Sequence, residues 1–510
     1  MKTLNKLLRI ATVTGLICFT TISCENVLVN EDPNGTIIDD LSPEVVMPGA
    51  QTRPSQVFMT RMNQLGNTMI ATWSGNAQQI QAPFFTEFSY QITPDFYDEI
   101  WDRMFVRASN LTNISNFSGA GNYDYFKAAA KILRAFYFQY LVDIYGDIPY
   151  TESHLRGDNL FPSYDDQEDI YRLLVDEVDE AIDLINNTDT ATAIDMGGND
   201  VMLNGDMTGW KKFGYTVKLR LLVRLMELAE TDGATQTYIQ EEFANLNGPD
   251  AIFLDLGEDV TINPGYSDES TRMNPFAETF GYDPGQFGNQ ASATVSNVTV
   301  GPTTFLVEFL DGTSNGVVDG RLSRLYTIRG GQTAIQGNTQ GGPGQPSRLG
   351  LGLLSSPDQD GYIMTASESL FLQAEAVQRG YLTSGDAKTL FQDGIRASFD
   401  RLGASGVTTY LTNSDNVAGI GWDGSTDKIE AIITQKWIDL GGTNGLETWI
   451  EFNRTGYPSN MPLPELASEP TQPKRILYPT SEYSGNTANV SAFGQTTASA
   501  FNTSIFWDVN

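Results

Sequence analysis

Apolar residues recur at helical spacing in several stretches of this chain, and long polar, glycine-rich stretches separate them. From Tyr125 to Tyr145 the positions Phe126, Ala129, Ala130, Leu133, Phe136, Tyr137, Tyr140, Leu141 and Ile144 follow a 3.6-residue period until Gly146 and Pro149 end the run. Asp165 and Asp166 cap a second helix whose apolar face runs from Ile170 to Ile185. Trp210 to Leu228 reads as a third, with Phe213, Val217, Leu221, Leu225 and Leu228 inward. Its cations, Lys211, Lys212, Lys218, Arg220 and Arg224, are expected on a solvated face, salt-bridged to the acidic helices around it. Ala366–Arg379 and Asp386–Leu402 form a helix-turn-helix unit with tetratricopeptide proportions, in which Ala374 and Ala376 permit close approach. Ile429–Leu440 adds another helix.

Between about 231 and 360 the period disappears. Gly, Asn, Thr, Ser, Pro and Asp dominate, and Gly341-Gly342-Pro343-Gly344 marks a tight loop. Such a stretch inside an ordered domain presents function, because loops carry the side chains that rigid helices position. The expected fold is therefore mainly α: helical pairs at about 100–230 and 362–455 carrying a large irregular segment.

The amino end shows a different pattern. Lys2, Lys6 and Arg9 precede the uncharged apolar run Ile10 to Ile22, and Ser23 stands directly before Cys24. This is the layout of a lipoprotein signal over residues 1–23, with fatty acyl chains of the palmitate type on Cys24. Several acyl chains make attachment effectively permanent. Residues 24–50, rich in Asp, Asn and Pro, read as a spacer between lipid and domain.

Charge narrows the function classes. The chain carries 31 Lys and Arg against 63 Asp and Glu, and loss of residues 1–23 would take its formal charge from −32 to −35. No basic stripe exists to neutralise phosphates, which excludes nucleic acid as a partner. The two cysteines are Cys18 in the signal and Cys24 at the lipid, so no disulfide is expected. One histidine, His154, rules out multi-histidine metal sites and is expected to be structural. Asp311, Asn315 and Asp319 in a glycine-rich loop offer oxygens to calcium, although the EF-hand spacing is missing and a plain acidic turn accounts for them.

A series of short motifs then points to a family. In order they are Cys24 with Asp32-Pro33-Asn34, Trp101 and Asn110, the stretch Ala135 to Tyr150, Asp319-Gly320-Arg321, Glu368 to Ala376 with Arg379-Gly380, Gln435-Lys436-Trp437, Glu447-Thr448-Trp449 with Arg454, and Arg475 to Pro479. With these the chain resembles the SusD/RagB family of nutrient-binding outer-membrane lipoproteins over nearly its whole length, residues 51–510 forming the domain. The resemblance implies a lipid-anchored protein facing the cell surface. It also implies a non-catalytic role, in which the protein passes an oligosaccharide to a SusC-like, TonB-dependent β-barrel transporter. No cofactor follows from it.

A pyranose ring needs a flat apolar face flanked by amides and carboxylates, so loop aromatics become the ligand candidates. Trp73, Phe84 and Tyr90, with Phe85 beside them, form one cluster; Tyr266, Asn274, Phe276 and Tyr282, with Phe280 and Phe287 beside them, form a second, and the two are expected to meet across one surface. Trp101, Trp210, Trp437 and Trp449 are expected in the core. A peptide ligand, a lipid-anchored hydrolase with an Asp and Glu pair, and an adhesion protein remain as alternatives.

Overall fold

The Asp124–Tyr145 helix sits at the centre of the scaffold. From Ala128 to its end only Lys131 and Arg134 escape burial, so the helix is apolar nearly all round, as a core helix must be. It packs against Gln167–Asn187, whose first turn is capped by the Asp166 carboxylate accepting from Glu168 and Asp169 amides, and against Met207–Arg224. The predicted Trp210–Leu228 run is broken at Leu225, and Met226–Ala229 forms a short separate turn. Ala366–Gln378 and Ala387–Leu402 pair as predicted. Gly394 makes that approach possible, since a Cβ there would meet the Phe371 ring at 2.6 Å. Lys428–Leu440 and Gly445–Thr455 extend this helical body, and among the described residues the sheet structure is three short two-stranded ribbons. Mainly α is thus the observed class. Trp101, Trp210, Trp437 and Trp449 are all buried, in agreement with expectation.

This computed structural model describes residues 41–76, 84–155 and 159–510. Cys24, the signal run and most of the spacer lie outside them. Two boundaries differ from expectation. The spacer ends early, because Pro43–Val57 is a helix that passes through a π turn, Phe58–Met62, into Asn63–Met69. Pro48, Gly49 and Pro54 disguise it in sequence, yet Val46, Met47, Ala50 and Val57 are buried, and packing outweighs propensity. The irregular segment is also less irregular than its composition. Asp232 caps Gly233–Leu246, and that helix buries Ile239, Phe243 and Leu246. Among the described residues no helix is long and apolar enough to cross a membrane.

The Asn63–Met69 and Gly445–Thr455 helices touch backbone to backbone. A Cβ on Gly66 would fall 2.0 Å from the Gly445 carbonyl carbon. Asn63 Nδ2 donates to Gly442 O at 2.8 Å, and its Oδ1 accepts from Gly445 N at 2.9 Å, which fixes the crossing. Gly66→Ala is expected to lower stability by about 1–3 kcal/mol through overpacking, measured as the denaturation midpoint. An unchanged midpoint would show that the helices separate freely.

Candidate functional site

A cavity of about 390 Å3 opens between the first two long helices and the loop at 264–279. Thr52 and Gln56 come from Pro43–Val57 and Thr60 from the π turn, where the ladder is locally widened. Arg103 and Arg107 come from Asp98–Ser115, four residues apart and therefore on one helix face. The loop contributes Tyr266, Arg272 and Glu278.

The loop is held from both ends. Strand Val260–Ile262 pairs antiparallel with Gly361–Met364, and Asn263 turns the chain just beyond it. Its Oδ1 accepts from Gly265 N at 3.0 Å and Tyr266 N at 2.9 Å, while Nδ2 donates to Asp360 Oδ1 at 2.8 Å. Gly265 takes φ +91°, a conformation open to glycine at little cost. At the far end Asn274 Oδ1 accepts from Phe276 and Ala277 amides and caps Pro275–Phe280, and its Nδ2 donates to Gln359 O at 3.0 Å. Tyr266 is left half-buried at the cavity wall. Burial first, then Asp360, raises its phenol above the ordinary range.

The predicted ligand residues separate into different roles. Trp73 and Phe280 do bring the two aromatic clusters together, with ring centroids 5.0 Å apart at 63°, and Phe276 continues the stack at 5.0 Å from Phe280. However, Trp73 and Phe280 are wholly inaccessible and Phe276 nearly so. These rings pack on one another, and the Trp73 indole offers no accessible face. Asn274 is likewise buried and spends its amide on capping. Phe84 lies against Phe88, and Tyr90 lies against Phe501 with its hydroxyl buried. Tyr282 stacks edge-on with Phe287 and accepts from Gln290 Nε2 at 2.9 Å. Of the seven candidate ligand residues, Tyr266 alone lines the polar cavity. Gln56, Thr60, Arg103 and Arg107 escaped notice. Two arginines four apart, in a chain with twice as many acids as bases, were the available signal.

The remaining candidates are structural. His154 shares Nδ1 with Thr112 Oγ1 at 2.7 Å and Nε2 with Phe105 O at 2.8 Å. Asp311 Oδ1 accepts from Thr313 N, Asn315 Oδ1 accepts from Val317 N, and Asp319 grips the buried Arg321 guanidinium at 2.7 Å. Asp311 Oδ1, Asn315 Oδ1 and both Asp319 oxygens thus accept from protein donors, and among the described residues no group of three or more His, Cys, Asp or Glu is placed to hold a metal ion. Arg220, Arg224 and Lys218 are buried rather than solvated: Lys218 reaches Asp179 and Glu242 at 2.7 Å, and Arg224 chelates Glu447 at 2.7 and 2.8 Å.

Comparison with known proteins fits the architecture. The family model described as "Starch-binding associating with outer membrane", SusD-like, matches residues 50–479. No curated protein sequence matches. Among solved structures the chain is similar to a SusD homolog from Bacteroides uniformis at 22% identity and TM-score 0.73, over 92% of this chain and 100% of that one. A chitin-binding SusD homolog from Flavobacterium johnsoniae is similar at 22% identity and TM-score 0.72, over 91% and 99%. At that identity the likeness speaks for the fold. The family model spans most of the chain, and with the helical pairs and the motif series beside it, the protein belongs to the SusD-like family.

Proposed function

We propose that this protein is a surface-exposed lipoprotein that captures glycans and hands them to a SusC-like, TonB-dependent transporter without cleaving them. The observation that carries the reading is the cavity at Tyr266. Its hydroxyl, amide and guanidinium groups surround one half-buried phenol ring, a lining suited to a polyhydroxylated ring. Two carboxylates must flank a glycosidic bond for hydrolysis, whereas among the described residues Glu278 is the only acidic one in this lining. Membership of a family described as starch-binding, and the chitin-binding title of one similar structure, support saccharide as the ligand class. Acyl chains on Cys24 would hold the protein at the outer membrane, where the barrel partner lies.

Calorimetric titration of the full-length protein with oligosaccharides should show binding, and chromatography of the same mixture should show no shorter sugars. Appearance of cleaved product would overturn the non-catalytic reading. Tyr266→Ala is expected to weaken binding at least tenfold, equivalent to about 1.4 kcal/mol. Undiminished affinity would remove the cavity from the ligand path.

A further inference from the structure

Two arginines of the cavity lack the carboxylate partner that most buried cations of this chain have, the buried Arg475 excepted. In a chain of formal charge −32, the buried cations Lys218, Arg224, Arg321 and Arg454 each have a carboxylate within 3 Å. Among the described residues Arg103 and Arg107 form no ion pair. Glu99, at the right spacing for Arg103, is taken by Arg61, and Asp102 accepts from Ser481 Oγ at 2.6 Å. Arg107 Nη1 donates to the Arg53 carbonyl at 2.8 Å and to Gln56 Oε1 at 3.1 Å, both neutral acceptors. Arg272 pairs with Glu269 at 3.0 Å, but both side chains are more than half exposed, so water screens the pair. Among the described residues Glu278 is the one opposing charge in the lining.

Like charges four residues apart on a helix repel; Arg103 is exposed, so water screens part of this, but the half-buried Arg107 guanidinium without a counterion is costly to keep. Burial, followed by Arg103 and Arg53, lowers the Arg107 guanidinium below its ordinary range. An anion between Arg103 and Arg107 would relieve the repulsion and supply charge-assisted hydrogen bonds that the protein itself withholds. We infer that the glycan taken by this cavity is anionic, carrying a carboxylate or a sulfate, with Arg103 and Arg107 on the charged group and Tyr266 on the ring. The inference rests on the glycan-binding reading above and narrows its substrate class.

The test titrates the full-length protein with four probes of equal length: an oligogalacturonide, a sulfated galactan oligosaccharide, a malto-oligosaccharide and a chito-oligosaccharide. One of the anionic probes is expected to bind at least tenfold tighter than either neutral one, and which of the two does so tells carboxylate from sulfate. The preference should shrink in 0.5 M salt. Arg103→Gln combined with Arg107→Gln should abolish it, while Arg396→Gln, at an exposed pair with Asp393, should leave it intact. Where the double variant fails to fold, the salt dependence of the unaltered protein decides. Equal affinity for charged and neutral probes overturns this inference and leaves glycan capture standing. Binding of none of the four overturns both.

Discussion

Arg224→Met should cost about 3–5 kcal/mol of stability, because it strands several buried carboxylates at once. The Arg224 guanidinium, 1% exposed, bonds Glu447 and Glu451 and lies 3.5 Å from Asp143 Oδ2. Glu451 also accepts from Arg454 at 2.6 Å, Arg454 chelates Glu375 at 2.7 and 2.8 Å, and Lys436 reaches Glu447 at 2.8 Å. Removing one cation therefore leaves charge that no water can solvate. Denaturant unfolding of the variant, beside Arg172→Ala at the partly exposed Glu168 pair, separates the cases. The surface change should cost only about 0.3–0.5 kcal/mol. A loss below about 1 kcal/mol for Arg224→Met would mean that the network opens to solvent.

The same network gives stability a defined pH dependence. Burial alone would raise all its carboxyls, but Arg224, Lys436 and Arg454 outweigh burial at Glu447, Glu451 and Glu375 and hold them below the ordinary range. These three add stability above their ordinary value near 4.5, and the gain is lost as pH falls through their lower folded values. Asp143 and Glu368 run the opposite way. Burial wins there, raising Asp143 to about 6 against Arg224, and Glu368 to about 7 against Lys436 and Arg220. The folded state then binds these protons more tightly than the unfolded chain does, so stability rises as pH falls from about 7 towards 5. The melting temperature should pass through a maximum near pH 5 and drop steeply below 4. Glu368→Gln should flatten the rise between pH 5 and 7; an unaltered profile would place that proton elsewhere.

How much of this was legible in sequence depends on what each signal measures. The apolar period located the Asp124–Tyr145 and Gln167–Asn187 helices to within a residue or two, since period reports the face that packs. It missed Pro43–Val57, where buried neighbours overrule two interior prolines. The motifs that reveal the family, including Glu368, Lys436, Glu447 and Arg454, converge on the buried ion network. They report the scaffold, and for that reason say little about the ligand. Cations on Met207–Arg224 were misplaced because charge in sequence does not reveal depth; only Asp143, Glu368 and Glu447, arriving from other helices, make burial of Arg220 and Arg224 tolerable. Loop aromatics suffered the reverse error, since composition cannot distinguish a ring that faces solvent from one that fills the space beneath a loop.

Trp73 is where the two readings diverge most, and Trp73→Ala should cost about 3–5 kcal/mol of stability while leaving saccharide affinity within twofold. Its indole is fully buried beside Phe280, and its backbone pairs Trp73 with Pro302 in a two-residue ribbon. Gln340 Nε2 bridges the Trp73 carbonyl at 3.0 Å and the Thr68 carbonyl at 2.7 Å, tying the 336–347 loop to the end of the Asn63–Met69 helix. Truncation to Ala keeps those backbone bonds but leaves a void beneath the loops, lined by Phe280 and its neighbour Phe276. Close-packed surroundings collapse only partly into such a space, so the loss combines transfer and cavity terms. Tyr266 and the two arginines stand on other segments, Tyr266 being tied through Asn263 to the Gly361–Met364 ribbon, so the polar side of the cavity should keep its shape even if the Pro275–Phe280 helix that forms its other side shifts. Melting and titration on one sample decide the matter. A stable variant with at least tenfold weaker binding would return Trp73 to the ligand and make the polar cavity secondary.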